Sequence, residues 1–173
     1  NANSFGIDVA ELVVQRAADD KSNVGFRVDV AAGSTVPRVS AARGLFRAAD
    51  GTGADFDLQQ AFVTVVAPMG NGLRIDAGKF ITAHGYEVID GYDGYNDNAT
   101  RSLLFGYAIP FTHTGVKATY AFSPRVGATA TVVNGWDNAV DNNSAKSVGA
   151  QLAFTPSSAL SVLVAGMAGP ERD

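Results

Sequence analysis

Cysteine is missing from the 173-residue chain. Its absence excludes disulfide staples, thiolate metal sites and covalent haem attachment on this chain. Histidine occurs only twice, as His84 and His113, far apart in sequence, so a zinc site or a histidine-based catalytic site has little basis. Charge is also sparse: 17% of residues are charged and the formal net charge is −4. The chain therefore lacks the basic footprint of a nucleic-acid binder, and no nucleic-acid partner is expected. No apolar run approaches the roughly 18–20 residues that a membrane-crossing helix needs; the strongest, 61–69, is interrupted by Thr64 and Pro68. The basic and apolar regions of a signal peptide are absent from the Asn-Ala-Asn opening, so an exported protein is expected here as a processed or truncated piece. Apolar residues make up 46% of the chain, with 19 glycines. That is enough for one folded domain, taken as 1–173.

What is present is alternation with period two. In 24–30, Val24, Phe26, Val28 and Val30 share one side and Arg27 and Asp29 the other. In 114–122, Val116, Ala118, Tyr120 and Phe122 oppose Lys117 and Thr119. Val126, Ala128, Ala130 and Val132 oppose Thr129 and Thr131. In 147–154, Val148, Ala150, Leu152 and Phe154 oppose Ser147, Gly149 and Gln151. Leu73, Ile75 and Ala77 oppose Arg74 and Asp76, and Leu160, Val162 and Val164 continue the theme. Such alternation marks strands with one apolar and one polar face. Two segments are less regular. The stretch 5–16 changes phase near Ala10, which predicts a β-bulge, and 57–67 ends apolar on both sides, which predicts a strand packed on both faces. Eight strands are expected in all.

Connection lengths alternate as well. Short turns rich in Asp, Asn, Pro, Gly and Ser fall at 19–23, 68–72, 123–124 and 155–159. Long connections fall at 33–55, 82–113 and 135–146. Short turns on one side and long loops on the other are the pattern of an outer-membrane barrel, in which an apolar outside and a polar inside are required together. The expected fold is therefore all-β: an antiparallel up-and-down transmembrane β-barrel, here about eight strands of a larger one. Phe26, Tyr120, Phe122 and Phe154 near strand ends would form its aromatic girdle. Alternation alone does not say which face is inside, and a soluble sandwich with an apolar core gives the same pattern.

Two stretches carry a family resemblance. From Gly78 the sequence reads GKFITAHGYEVIDGYDGYNDNATRSLLFGYAIPFTHTGVKATYAF, and from Val132 it reads VVNGWDNAVDNNSAKSVGAQLAF. The Gly-Lys-Phe that ends a strand, the Pro-Phe-Thr-His-Thr-Gly and the Val-Asn-Gly-Trp-Asp are the specific parts. Together they resemble the OmpL-like β-barrel porins of the Gram-negative outer membrane. The resemblance implies passive passage of small hydrophilic solutes through a water-filled channel, contact with outer-membrane lipid, a homo-oligomer such as a trimer, and no cofactor. A strand pattern that places both chain ends at the outer side leads to an expectation of strands before Asn1 and after Asp173, in a barrel of about 12 to 16.

On that reading Arg27, Asp29, Arg74, Asp76, Lys117, Thr119, Thr129, Thr131 and Gln151 line the lumen and bias which ions or sugars pass. The equally weighted alternative is that they merely solvate a polar wall. The connection 82–113 is long enough to fold inward, since connections beyond roughly 12–15 residues are usually functional or disordered. Glu87, Asp90, Asp93, Asp97 and Arg101 are its constriction candidates, with Arg101 opposing the carboxylates. Asp93, Asp97, Asp137 and Asp141 are oxygen donors for Ca²⁺ without EF-hand spacing, so no metal is expected. No nucleophile-elbow spacing occurs, and Gly51-Thr52-Gly53 lacks the strand–loop–helix context of a phosphate cradle, so no enzyme is expected. Two other functions compete: a scaffold barrel of the outer membrane that encloses or anchors a partner, and a soluble β-sandwich binding domain.

Overall fold

Val, Thr, Phe and Ala in alternation with polar residues favour a pleated strand with one apolar and one polar side. The computed structural model of the chain describes residues 5–19, 22–39, 45–47, 52–89, 91–96 and 100–170. Among these it forms eight strands: β1 (Ala10–Arg16), β2 (Val24–Ala32), β3 (Phe56–Ala67), β4 (Leu73–Ile81), β5 (Thr112–Ser123), β6 (Val126–Val133), β7 (Ser147–Ser157) and β8 (Leu160–Ala168). Two helical turns interrupt the long connections, α1 (Val36–Val39) before β3 and α2 (Leu103–Tyr107) before β5. Ser102 caps α2 by accepting the Phe105 N–H, the usual task of a serine at a helix start.

The two irregular segments resolve differently from expectation. The phase change at Ala10 is where β1 begins, not a bulge inside a longer strand. Register shifts lie elsewhere: between β2 and β3, Asp29 pairs with Gln60 and Val30 with Leu58, leaving Gln59 as the extra residue, and two more fall at the short-turn ends of β5–β6 and β7–β8. The apolar end of β3 is not packed on both faces, because Val63 and Val65 remain exposed.

All eight strands belong to one antiparallel sheet in the order β1-β2-β3-β4-β5-β6-β7-β8. Each strand pairs with its neighbours in sequence. One row across five strands reads Thr64, Asp76, Lys117, Thr131 and Gly149. The backbones pass very close at another row: Gly78, at φ 135°, faces Gly115, and a Cβ on either would stand 2.2 Å from the carbonyl oxygen of Ala61 or Val132 respectively. Only glycine fits there.

The sheet is open, and this overturns the expected transmembrane barrel. Closure requires the last strand to bond to the first. Here β1 pairs with β2 and β8 with β7, and no β8–β1 pairing exists among the described residues. Without closure the described residues enclose no lumen, and the water-filled porin channel for passive diffusion or ion transport is overturned with the barrel. Alternation reports that each strand has two unlike sides; it carries no information on whether the ends of the sheet meet. Among the described residues no helix is long and apolar enough to cross a membrane.

Burial is opposite to that of a water-soluble sheet. The side bearing Asp29, Gln60, Thr64, Asp76 and His113 is buried, while Leu12, Val14, Phe26, Val63, Val116, Val132, Leu152 and Phe154 on the other side are exposed. The buried apolar cluster, Ile89, Phe105, Ile109 and Phe111 with Ile81 against it, belongs to the connection 82–111 and its two ends.

Candidate functional site

Because side chains alternate along a strand and match across the register, the nine residues expected to line a lumen fall on one face of the sheet. With no lumen to line, they bind one another and the connection above them. Arg27 donates from Nε to both Asp29 oxygens at 2.9 and 2.7 Å, and Gln60 Nε2 donates to Asp29 Oδ2 at 2.6 Å. Asp76 accepts from Thr64 Oγ1 at 2.6 Å and from Arg74 Nε at 2.9 Å. The Lys117 ammonium lies 3.4 Å from Asp76 and 4.5 Å from the centre of the Phe80 ring. Thr119 and Thr129 share a hydrogen bond of 3.2 Å. Thr129, Thr131 and Gln151 border a small cleft with His84 and His113. Buried charges persist only when paired and hydrogen-bonded, and each carboxylate here has several donors.

The connection 82–111 lies over this face as a strap. At the β7 side, Gln151 Nε2 donates to the Ala83 carbonyl. Beside it, His113 bonds Gly135 O through Nδ1 and Thr82 Oγ1 through Nε2, both at 3.1 Å. The His84 ring meets the His113 ring edge-on at 6.1 Å between centres, and burial lowers the His84 pKa. At the opposite side the strap reaches β1 and β2. Glu11 Oε2 accepts the Tyr92 N–H at 3.1 Å, Gln15 Nε2 donates to the Tyr92 hydroxyl at 2.9 Å, and Arg27 Nη1 donates to Asp93 Oδ1 at 2.7 Å. The Arg27 guanidinium also lies 5.3 Å from the Tyr92 ring centre. The strap thus spans the sheet from β7 to β1.

Its interior differs from the expected constriction. Arg101 donates to the Val88 carbonyl and stacks 4.5 Å from the Phe105 ring centre. It is not set opposite Asp93, whose partner is Arg27. Glu87 accepts from the Ser102 backbone N–H at 3.0 Å and from its hydroxyl. Asp90 and Asp97 lie outside the described residues. The Asp93, Asp137 and Asp141 carboxylates are engaged separately. Asp137 Oδ1 accepts the Phe111 and Thr112 N–H groups at 2.6 and 3.0 Å. The Lys146 ammonium holds the Asp141 carboxyl below its usual pKa. Among the described residues no three His, Cys, Asp or Glu side chains gather as a metal set.

Several contributors escaped the sequence. Lys79, part of the Gly-Lys-Phe, forms a buried pair with Asp57 at 3.3 Å and donates to Leu58 O at 2.6 Å. Glu11, Gln15, Gln60 and Thr64 join the polar face. Glu11 and Gln15 do alternate with Leu12 and Val14, a signal hidden by the phase change at Ala10.

Compared with known proteins, the chain matches, over residues 1–173, the profile of the family described as "Putative beta-barrel porin-2, OmpL-like". No curated protein and no solved structure matches it.

Proposed function

Since the chain belongs to the OmpL-like β-barrel porin family, we propose that it serves as a structural scaffold of the outer membrane, with lipid against its apolar face and its strap held on its polar face. One observation carries the reading: the described residues of the connection 82–111 are bonded across the polar face, from Gln151 on β7 to Glu11 and Gln15 on β1. A face so crossed anchors what lies on it. The apolar face supports the lipid side. Its side chains would cost free energy in water at about 25 cal/mol per Å² and are at no disadvantage against acyl chains. Tyr120, Phe122 and Phe154 stand at the short-turn ends of β5 and β7, where amphipathic or aromatic rings favour a lipid–water boundary.

Partitioning followed by planar-bilayer recording tests this. The scaffold requires detergent or lipid for a monodisperse preparation and gives no stepwise conductance. A preparation that stays monodisperse in plain buffer would favour a soluble binding domain. Stepwise ohmic currents would rule out the scaffold.

A further inference from the structure

On the strap, away from its contacts with the sheet, a groove of about 600 Å³ opens between Tyr86, Val88, Tyr95, Arg101 and Leu104. Its size falls in the range of small-molecule sites. Two features set it apart from an ordinary loop depression. Tyr86 and Tyr95 on its walls are 88% and 86% exposed, so neither ring is used in folding. And its backbone is fixed at a cost. Arg101 adopts φ 61°, a conformation unfavourable for any residue with a Cβ, and strain of this kind gathers at binding sites.

The walls are held from behind. Asn96 clamps Val88, accepting its N–H at 2.7 Å and donating to its carbonyl at 2.8 Å. Glu87 is tied to Ser102. Thr100 is exposed on the rim. One acid and one base line the groove, so the described lining has no net charge to attract an ion. Beyond Tyr86 a second depression of about 310 Å³ continues over Gly85, Gln151, Ser161 and Leu163. Tyr86 is common to both, which makes an elongated track with an aromatic ring at its middle.

We propose that this track binds an uncharged oligosaccharide. The C–H faces of pyranose rings stack on tyrosine, while hydroxyls exchange hydrogen bonds with threonine, glutamine and serine. A ligand with alternating apolar and polar surface is what aromatic walls and neutral hydrogen-bonding groups recognise. An anion would require surplus cationic donors, and a hydrocarbon would leave the polar lining unpaired. The proposal stands apart from the scaffold reading, because the track runs from the strap onto the polar side of β7 and β8 and does not depend on what covers the apolar face.

The test is saturation-transfer NMR and calorimetry on the full chain, in a detergent without a sugar headgroup, with maltohexaose, cellohexaose and chitohexaose as probes. At least one should bind, with transfer concentrated on ring C–H protons. Tyr86→Ala and Tyr95→Ala should each weaken it at least tenfold, and Tyr86→Phe should restore stacking and affinity to within threefold. Tyr107→Ala, at an exposed ring outside the track, should leave binding unchanged. No binding by any of the three probes would overturn the proposal. So would equal losses from Tyr86→Ala and Tyr107→Ala.

Discussion

The two faces of the sheet obey opposite rules. On one, Asp29 and Asp76 are 0% and 1% exposed; on the other, Leu12 and Leu152 are 64% and 61% exposed. In a water-soluble sheet the assignment is reversed, because burying carboxylates costs far more than burying leucines. The polar face tolerates burial because each carboxylate is matched by donors on neighbouring strands and by the strap. The apolar face has no protein cover among the described residues. The contrast teaches that the stability of the polar face resides in pairing, whereas that of the apolar face depends on the surrounding medium.

Breaking the pairing should have the largest effect. Asp76→Ala removes the acceptor of Thr64, Arg74 and Lys117 together. Removing one partner of a buried ion pair strands the other, at about 3–5 kcal/mol. Arg74 is half-exposed and can return to water, which places the expected loss near the lower end, about 3 kcal/mol. Denaturant unfolding in the detergent-solubilised protein measures it. A loss below about 1 kcal/mol would mean that the polar face is hydrated and the contrast between faces is not real.

The other face is probed by Val63→Arg, in the row Phe26, Val63 and Ala77. Against lipid the guanidinium costs roughly 2–4 kcal/mol at mid-depth, falling to about 0–1 near the boundary. Against water an exposed substitution stays within about 0.5 kcal/mol. The stability change in lipid bilayers, set against these two magnitudes, therefore reads the medium directly. A change near zero in lipid vesicles would remove lipid from that face.

How far the sequence reveals this contrast depends on the range of the interaction. Arg27 and Asp29 two residues apart, or Val24, Phe26 and Val28, are local patterns, and they disclose the strands and the two unlike faces. Closure is a relation between β1 and β8, and nothing within either strand encodes it, which is why the barrel expectation failed while the strand count held. The same limit applies to the strap. Its length marked 82–113 as a candidate to fold inward. Its partners Glu11 and Gln15 lie on the first strand, and no periodicity links them to Tyr92. Arg101 illustrates a third limit: charge suggested a carboxylate partner, but the Val88 carbonyl and the Phe105 ring claimed the guanidinium first.

Strap docking gives a smaller test of the polar face. Asp93→Asn removes the ion pair with Arg27 and keeps the shape of the side chain. The carboxylate is 31% exposed, so solvent screening limits the loss to about 1 kcal/mol or less. Arg27 retains Asp29, and β2 should be unaffected. The readout is local: faster hydrogen exchange over 91–96 with exchange in β2 unchanged. Uniform acceleration of both would show that strap and sheet open together.

The smallest effect separates two of the contacts by which the Tyr92 side chain holds the strap. Its hydroxyl accepts from Gln15, and its ring lies over Arg27. Tyr92→Phe deletes the first and keeps the second. A neutral hydrogen bond contributes about 0.5–1.5 kcal/mol net, and the exposure of this one places it at about 0.5. Cation–π contacts at exposed sites contribute a similar amount, about 0.5–1. Tyr92→Phe should therefore cost about half of what Tyr92→Ala costs. A double-mutant cycle of Tyr92→Phe with Gln15→Ala should show a coupling of about the size of this hydrogen bond, because both substitutions remove the same contact. If Tyr92→Phe instead equals Tyr92→Ala, the ring contributes nothing and the strap hangs on its polar bonds alone. The rule that governs the buried carboxylates of the sheet would then extend unchanged to its cover.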